Sequence, residues 1–89
     1  MNRLSLFKHT LEVCQQRRKQ WPNSQPLLSI EKQLEYLIAL EQGQRSDIEL
    51  ISNLNLGLLA ARELEPHDME LANLIYDVTE AVKQMKFGK

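Results

Sequence analysis

The best candidates in this sequence for a catalytic nucleophile and its base are Cys14, His9 and His67. A catalytic thiol needs a base within reach, and the spacing from His9 to Cys14 places the two on different sides of a helix. His67 precedes Asp68, which could orient it as a general base, but an aspartate here is also typical of a helix cap. We expect Cys14 to be a core residue and His67 a loop residue, with no catalytic role for either.

Metal and cofactor sites are not indicated by the residue spacing. Neither histidine belongs to a chelating motif, and Gly43, Gly57 and Gly88 are too scattered to form a phosphate-binding loop. No carboxylate lies in an apolar run that would raise its pKa for acid catalysis. The sequence therefore predicts a binding protein that is not an enzyme and that uses no cofactor and no metal.

The net charge of −1 hides a segregation of charge along the chain. Residues 1–21 carry five basic side chains against one carboxylate, a net charge of +4, whereas residues 22–82 carry three against eleven, a net charge of −8. An acidic central surface repels nucleic acid and attracts a basic partner. The alternative is a solvated helical surface with ordinary surface acids.

Length, cysteine usage and hydropathy limit the class of protein. The 89 residues are enough for one domain, residues 1–89. A lone Cys14 cannot form an intrachain disulfide and suits a reducing compartment. Neither a signal peptide nor an apolar run of the roughly 18 residues that a membrane span needs is evident. We expect a cytoplasmic protein that does not associate with membranes.

The first two predicted helices are separated by a proline-rich break. The first runs from about Asn2 to Trp21, and its spacing places Trp21 on the same inward face as Phe7 and Cys14. Residues 22–26 contain two prolines, which do not continue a helix. The second starts near Leu27 and ends at Gly43, a residue suited to the left-handed conformation of helix ends.

The third and fourth helices follow from capping signals. Ser46–Glu49 matches the capping box, in which the serine and the glutamate three residues later satisfy each other's amides. Polar residues and a glycine in the following stretch predict a kink or break near Asn55, and Asp68 is expected to cap the fourth helix. Nothing alternates with a period of two. The predicted fold is all-α, an antiparallel bundle of four helices in one domain, with the third helix continuous or broken into two.

The second helix carries apolar residues on more than one face. One face, Leu27 to Ile38 at helical spacing, is a core face. Leu28 and Tyr36 lie on roughly the opposite side, where we expect contact with water, and Leu40 lies on a flank. Such a helix is either central in its own domain or available to another protein.

Several short segments resemble a known family. Residues 26–37, PLLSIEKQLEYL, are similar to one helix of the immunity proteins of bacterial type VI secretion that neutralise NAD(P)+-glycohydrolase toxins. Trp21-Pro22, Leu56-Gly57, Arg62-Glu63-Leu64 and Glu70-Leu71 match in order, so the resemblance covers roughly residues 11–82.

The resemblance implies a small cytoplasmic antitoxin that covers the active site of a toxin domain. A cleft that holds the pyrophosphate of NAD must present positive potential, to which an acidic surface would be attracted. We therefore expect a cognate bacterial toxin domain with a basic cleft as the partner. The predicted partner-binding residues are Glu31, Glu35, Tyr36, Glu63, Glu65 and Asp68.

The sequence leaves alternatives open. Ser29, Glu31, Lys32 and Gln33 could instead make caps and internal hydrogen bonds. The toxin could have a different chemistry, such as an ADP-ribosyltransferase-like or nucleotide-modifying activity. A helical adaptor or a homodimer formed through Leu28, Tyr36 and Leu40 is a further alternative to toxin binding.

Overall fold

The computed structural model describes the backbone of residues 2–87 and the side chains of residues 2–85, and this part of the chain is helical with no strand. The order of elements is α1 (Arg3–Gln20), α2 (Gln25–Glu41), a 3-10 segment (Ile48–Asn53), α3 (Leu56–Leu59), a π turn (Ala60–Leu64) and α4 (Met69–Phe87). Helix α1 packs against both α2 and α4, and α3 packs against α4 and α2. The prediction of an all-α bundle is confirmed.

Local interactions set three of the helix ends much as the sequence predicts. The Ser5 amide donates to the Asn2 side chain at 2.7 Å and starts α1. Gly43 follows α2 with φ of 77°, the left-handed conformation expected for a helix end. The Leu71 amide donates to the Asp68 carboxylate at 3.2 Å, which confirms Asp68 as the cap of α4.

The capping box predicted at Ser46–Glu49 is wrong. No side chain caps this turn; the Ile48 amide donates to the Ser46 carbonyl at 2.9 Å, and the segment is 3-10 rather than α-helical. Asp47 is instead bound by two earlier residues: its carboxylate accepts from Arg45 at 3.0 Å, and its carbonyl accepts from Tyr36 of α2 at 2.7 Å. These contacts hold the turn against α2 and override its local helix signal.

The break predicted near Asn55 is confirmed. Leu54 and Asn55 are not helical, and α3 starts at the next residue. The Asn55 amide donates to the Gln33 side chain of α2 at 3.0 Å, so α2 supplies a partner for the backbone where the helix is interrupted.

The core lies between the inner faces of the helices. Helix α2 buries the predicted face from Leu27 to Leu37 at helical spacing, and Ile38, the last residue of that face, is partly buried against the core. Helix α1 contributes Phe7 and Cys14. Trp21 is a correction, because its side chain is 64% exposed. Helix α1 ends at Gln20, and Trp21 has non-helical backbone angles of φ −132° and ψ 67°, so its side chain does not continue the inner face.

Candidate partner-binding surface

The Cys14 thiol is a core group. Its side chain is fully buried and donates to the Leu27 carbonyl at 3.5 Å. Burial, followed by the negative charge of Glu31, raises the pKa of the thiol from its ordinary value of 9.0 to about 12. The thiolate that a nucleophile requires is therefore disfavoured at neutral pH.

The two histidines lie apart from Cys14 in different settings. His9 is exposed on α1, with Nδ1 4.0 Å from a Glu12 carboxylate oxygen. His67 is exposed in the connection before α4, as predicted. Among the residues whose positions are described, no group of histidine, cysteine and carboxylate side chains could hold a metal ion. No helix in the same part of the chain is long and apolar enough to cross a membrane.

The segregated charges meet in ion pairs that join α1 to the rest of the bundle. Arg17 donates to Asp68 at 2.7 Å and to Glu70 at 2.5 Å, and both interactions raise the pKa of its guanidinium. Arg18 pairs with Glu31 of α2, and Arg3 pairs with Glu41 at 3.0 Å. Much of the positive charge of the first 21 residues is therefore neutralised inside the molecule.

These ion pairs occupy two of the six predicted partner-binding residues. The Glu31 side chain is 12% exposed and accepts from both Arg18 and Gln15. The Asp68 carboxylate binds Arg17 and also caps α4. For Glu31, these contacts within the chain match the alternative of internal hydrogen bonds, and Asp68 makes similar contacts.

The expectation that Tyr36 faces water is wrong. Its side chain is 8% exposed, its hydroxyl donates to the Asp47 carbonyl at 2.7 Å, and the Arg45 guanidinium lies 4.9 Å from the centre of its ring. Burial raises the pKa of the phenol. The chain that follows α2 folds back over Tyr36 and covers the side of the helix predicted to be exposed.

The other three predicted residues are exposed carboxylates. Glu65 accepts a hydrogen bond from the Tyr76 hydroxyl, which raises the pKa of that phenol. Glu35 and Glu63 have no ion pair or side-chain hydrogen bond with any other described residue. The assignment of all six residues to a partner surface stays a prediction.

A groove lies at one end of the molecule, and we call it the Trp21 groove. It has a volume of about 780 Å³ and lies between the end of α1, the start of α2 and the connection from the π turn to α4. Glu63 and Asp68 both line it. Tyr36 lies nine residues along α2 from the groove residue Leu27, about 13 Å at the rise of an α-helix. The six predicted residues therefore do not form one cluster.

Sequence reasoning missed this groove because it placed Trp21 in the core. The available signal was the position of the tryptophan immediately before Pro22, which disfavours helical backbone at Trp21 and ends the inner face before it. The remaining lining residues include the buried Leu27 and Leu64 and the exposed His67.

A family model and two solved structures match this chain and name the same family. The model of the Tsi6 family matches residues 2–84. A solved structure described as Tse6 in complex with Tsi6 matches with a TM-score of 0.93 and 26% sequence identity, covering 99% of this chain and 94% of that chain. A structure of Tsi6 from Pseudomonas aeruginosa matches with a TM-score of 0.92 and 26% identity, covering 100% of this chain and 93% of the other. No curated protein sequence matches this chain.

Proposed function

This chain belongs to the Tsi6 family of type VI secretion immunity proteins, and from that membership we propose that it binds a cognate toxin domain and inhibits it by covering the active site. The observation that carries the proposal is the likeness to the chain solved in the complex of Tse6 with Tsi6, which extends over almost the whole of both chains. Inhibition by occlusion requires shape and charge complementarity and no catalytic group on the inhibitor.

The proposed target is a toxin domain with NAD(P)+-glycohydrolase activity and a basic cleft. Exposed carboxylates support this proposal, because Glu35, Glu63 and Glu65 lie at the surface where a positive cleft would attract them. Glu31, Tyr36 and Asp68 complete the proposed partner-binding set. Their bonds to Arg18, Asp47 and Arg17 would hold that surface in place.

Charge reversal tests this surface. The double variant E35K/E65K should raise the dissociation constant for the purified product of the neighbouring toxin gene at least tenfold at low salt, because it replaces attraction with repulsion. The matched control E12K/E49K makes the same change of charge at two exposed carboxylates outside the proposed set. Equal affinities of the two double variants would reject the carboxylate surface.

The chemistry of the toxin is tested by NAD consumption. The isolated toxin domain should consume NAD+, and an equimolar amount of this chain should stop the reaction. A toxin that binds this chain tightly but leaves NAD+ intact would assign the chain to a toxin of different chemistry. Turnover of NAD+ by this chain alone would overturn the non-enzymatic proposal.

We place the protein in the cytoplasm, where it would meet a toxin that acts on cytoplasmic nucleotides. The one cysteine of the chain, Cys14, is buried and is not in a disulfide, which is consistent with that compartment. Cell fractionation with an antibody to the native protein checks the assignment, and recovery in the periplasmic fraction would contradict it.

A further inference from the structure

Trp21 is the one tryptophan of the chain, and most of its side chain is exposed at the edge of a groove. Its backbone is fixed, because its amide donates to the Arg17 carbonyl at 2.9 Å and its carbonyl accepts the Ser24 amide at 3.1 Å. Because the backbone is already fixed and a tryptophan side chain has few rotatable bonds, covering the indole costs little conformational entropy. Tryptophan is accordingly enriched among the residues that dominate binding energies.

The groove beside Trp21 combines an apolar floor with an excess of negative charge. Leu27 and Leu64 form buried parts of its lining. Among the described residues, the basic side chains that line the groove are Arg17 and His67. The Arg17 guanidinium is already paired with Asp68 and Glu70. The Glu63 carboxylate has no such counterion among the described residues.

The π turn brings Glu63 to this groove. Residues 60–64 form a π turn, in which each hydrogen bond spans one residue more than in an α-helix. The Glu65 amide, for example, donates to the Ala60 carbonyl at 3.0 Å. In the same turn Leu64 is buried while Glu63 stays exposed. Single π turns inside helices frequently occur at functional sites.

We propose that the Trp21 groove receives an arginine side chain of the toxin, whose guanidinium stacks on the Trp21 indole and pairs with the Glu63 carboxylate. This inference rests on the proposed function and identifies one contact within it. A planar guanidinium satisfies both groups at once, because it stacks on aromatic faces and binds carboxylates through its edge.

Charge complementarity favours this occupant over the other classes of side chain. A purely apolar side chain would bury Glu63 without a counterion, which is costly. A carboxylate would meet Glu63 and Asp68 with the same sign of charge. The Arg17 guanidinium would not strongly repel an incoming cation, because two carboxylates already neutralise it.

Two substitutions and their matched controls test the proposal with the full chain and the purified product of the neighbouring toxin gene. W21A and E63Q should each raise the dissociation constant at least tenfold. The controls are L58A, which removes another exposed apolar side chain, and E49Q, which neutralises another exposed carboxylate; both lie outside the groove and should change affinity less than twofold. All four positions are exposed, so circular dichroism should show unchanged folding.

A double-mutant cycle distinguishes a shared contact from two separate effects. If one arginine bridges both residues, the W21A/E63Q variant should bind much more tightly than the product of the two single effects predicts. Fluorine NMR of the chain labelled with 5-fluorotryptophan gives a direct readout, because its one tryptophan resonance should shift when the toxin binds.

The outcomes separate this proposal from the proposed function. Failure of the wild-type chain to bind the toxin would overturn both. Tight binding by the wild type and by all four single variants, with an unmoved fluorine resonance, would overturn the Trp21 groove alone. Additive effects of W21A and E63Q would overturn the bridging arginine.

Discussion

The side chain of Gln33 in α2 and the residue Asn55 bind each other through two hydrogen bonds of opposite direction. Gln33 Nε2 donates to Asn55 Oδ1 at 2.6 Å, and Gln33 Oε1 accepts from the Asn55 amide at 3.0 Å. The same amide nitrogen of Gln33 also donates to Ser29 Oγ at 3.1 Å, which orients the side chain. Asn55 is thus held at the point where α3 begins.

Removing this pair should destabilise the fold modestly. We expect Q33A to lower the free energy of unfolding by about 1 kcal/mol, because it leaves the Asn55 amide to solvent or to no partner. Urea denaturation measures the change. Q16A is the control, since Gln16 is exposed on α1 and has no side-chain hydrogen bond to another described residue. Equal stabilities of Q33A and Q16A would show that the pair contributes nothing measurable.

Two glycine substitutions should change stability in opposite directions. Gly43 has φ of +77°, so G43A should cost about 1 kcal/mol of backbone strain although the space around it is open. Gly57 is helical, and an added Cβ would meet Thr79 Cγ2 at an ordinary 3.7 Å, so G57A should stabilise the fold by roughly 0.5 kcal/mol. Thermal unfolding checks both signs, and a stabilised G43A would contradict the left-handed helix end.

Loss of the Tyr36 hydroxyl should loosen the segment that covers it. Y36F leaves the ring and removes the bond to the Asp47 carbonyl, so we expect a loss of about 1 kcal/mol and faster hydrogen exchange at the amides of residues 47–51. Y76F is the matched control, because its hydroxyl binds Glu65 at the exposed surface. Unchanged exchange in Y36F would mean that other contacts hold the 3-10 segment.

Alkaline pH should destabilise the protein through Cys14. The thiol pKa is about 12 in the folded chain against an ordinary value of 9.0, so between these values the unfolded chain holds fewer protons than the folded chain. Rising pH therefore favours unfolding, with a slope that approaches roughly 1.4 kcal/mol per pH unit inside this window. In C14A the stability should fall less steeply between pH 9 and 11. Parallel curves for wild type and C14A would contradict a buried protonated thiol.

The features that the sequence predicted correctly depend mainly on near neighbours. Asn2, Gly43 and Asp68 act within a few residues of their own positions, and helical spacing identified the buried face of α2. These signals are local, so a pattern along the chain contains them. The family resemblance added the protein class, which composition and spacing alone did not supply.

Several of the features that the sequence did not predict depend on residues elsewhere in the chain. A helical projection of α2 places Tyr36 in water because it does not include the Arg45–Asp47 turn that covers the ring. A sequence pattern likewise treats acids as free surface charges. In the structure, Glu31 pairs with Arg18, and Asp68 pairs with Arg17, which lies 51 residues away. Of the six predicted partner-binding residues, three are exposed carboxylates, and the other three are buried or partly buried in contacts within the chain.

The ion pairs of α1 mean that the charge of this protein can change through residues that lie outside the Trp21 groove. Arg3 and Arg18 mask Glu41 and Glu31 from positions that do not line the Trp21 groove. Replacing either arginine with a neutral residue would make the chain one unit more negative and would leave one carboxylate without its counterion, although no residue of the groove lining would change. Substitution of these counterions therefore offers evolution a way to change the charge of the protein while the residues that line the Trp21 groove stay the same.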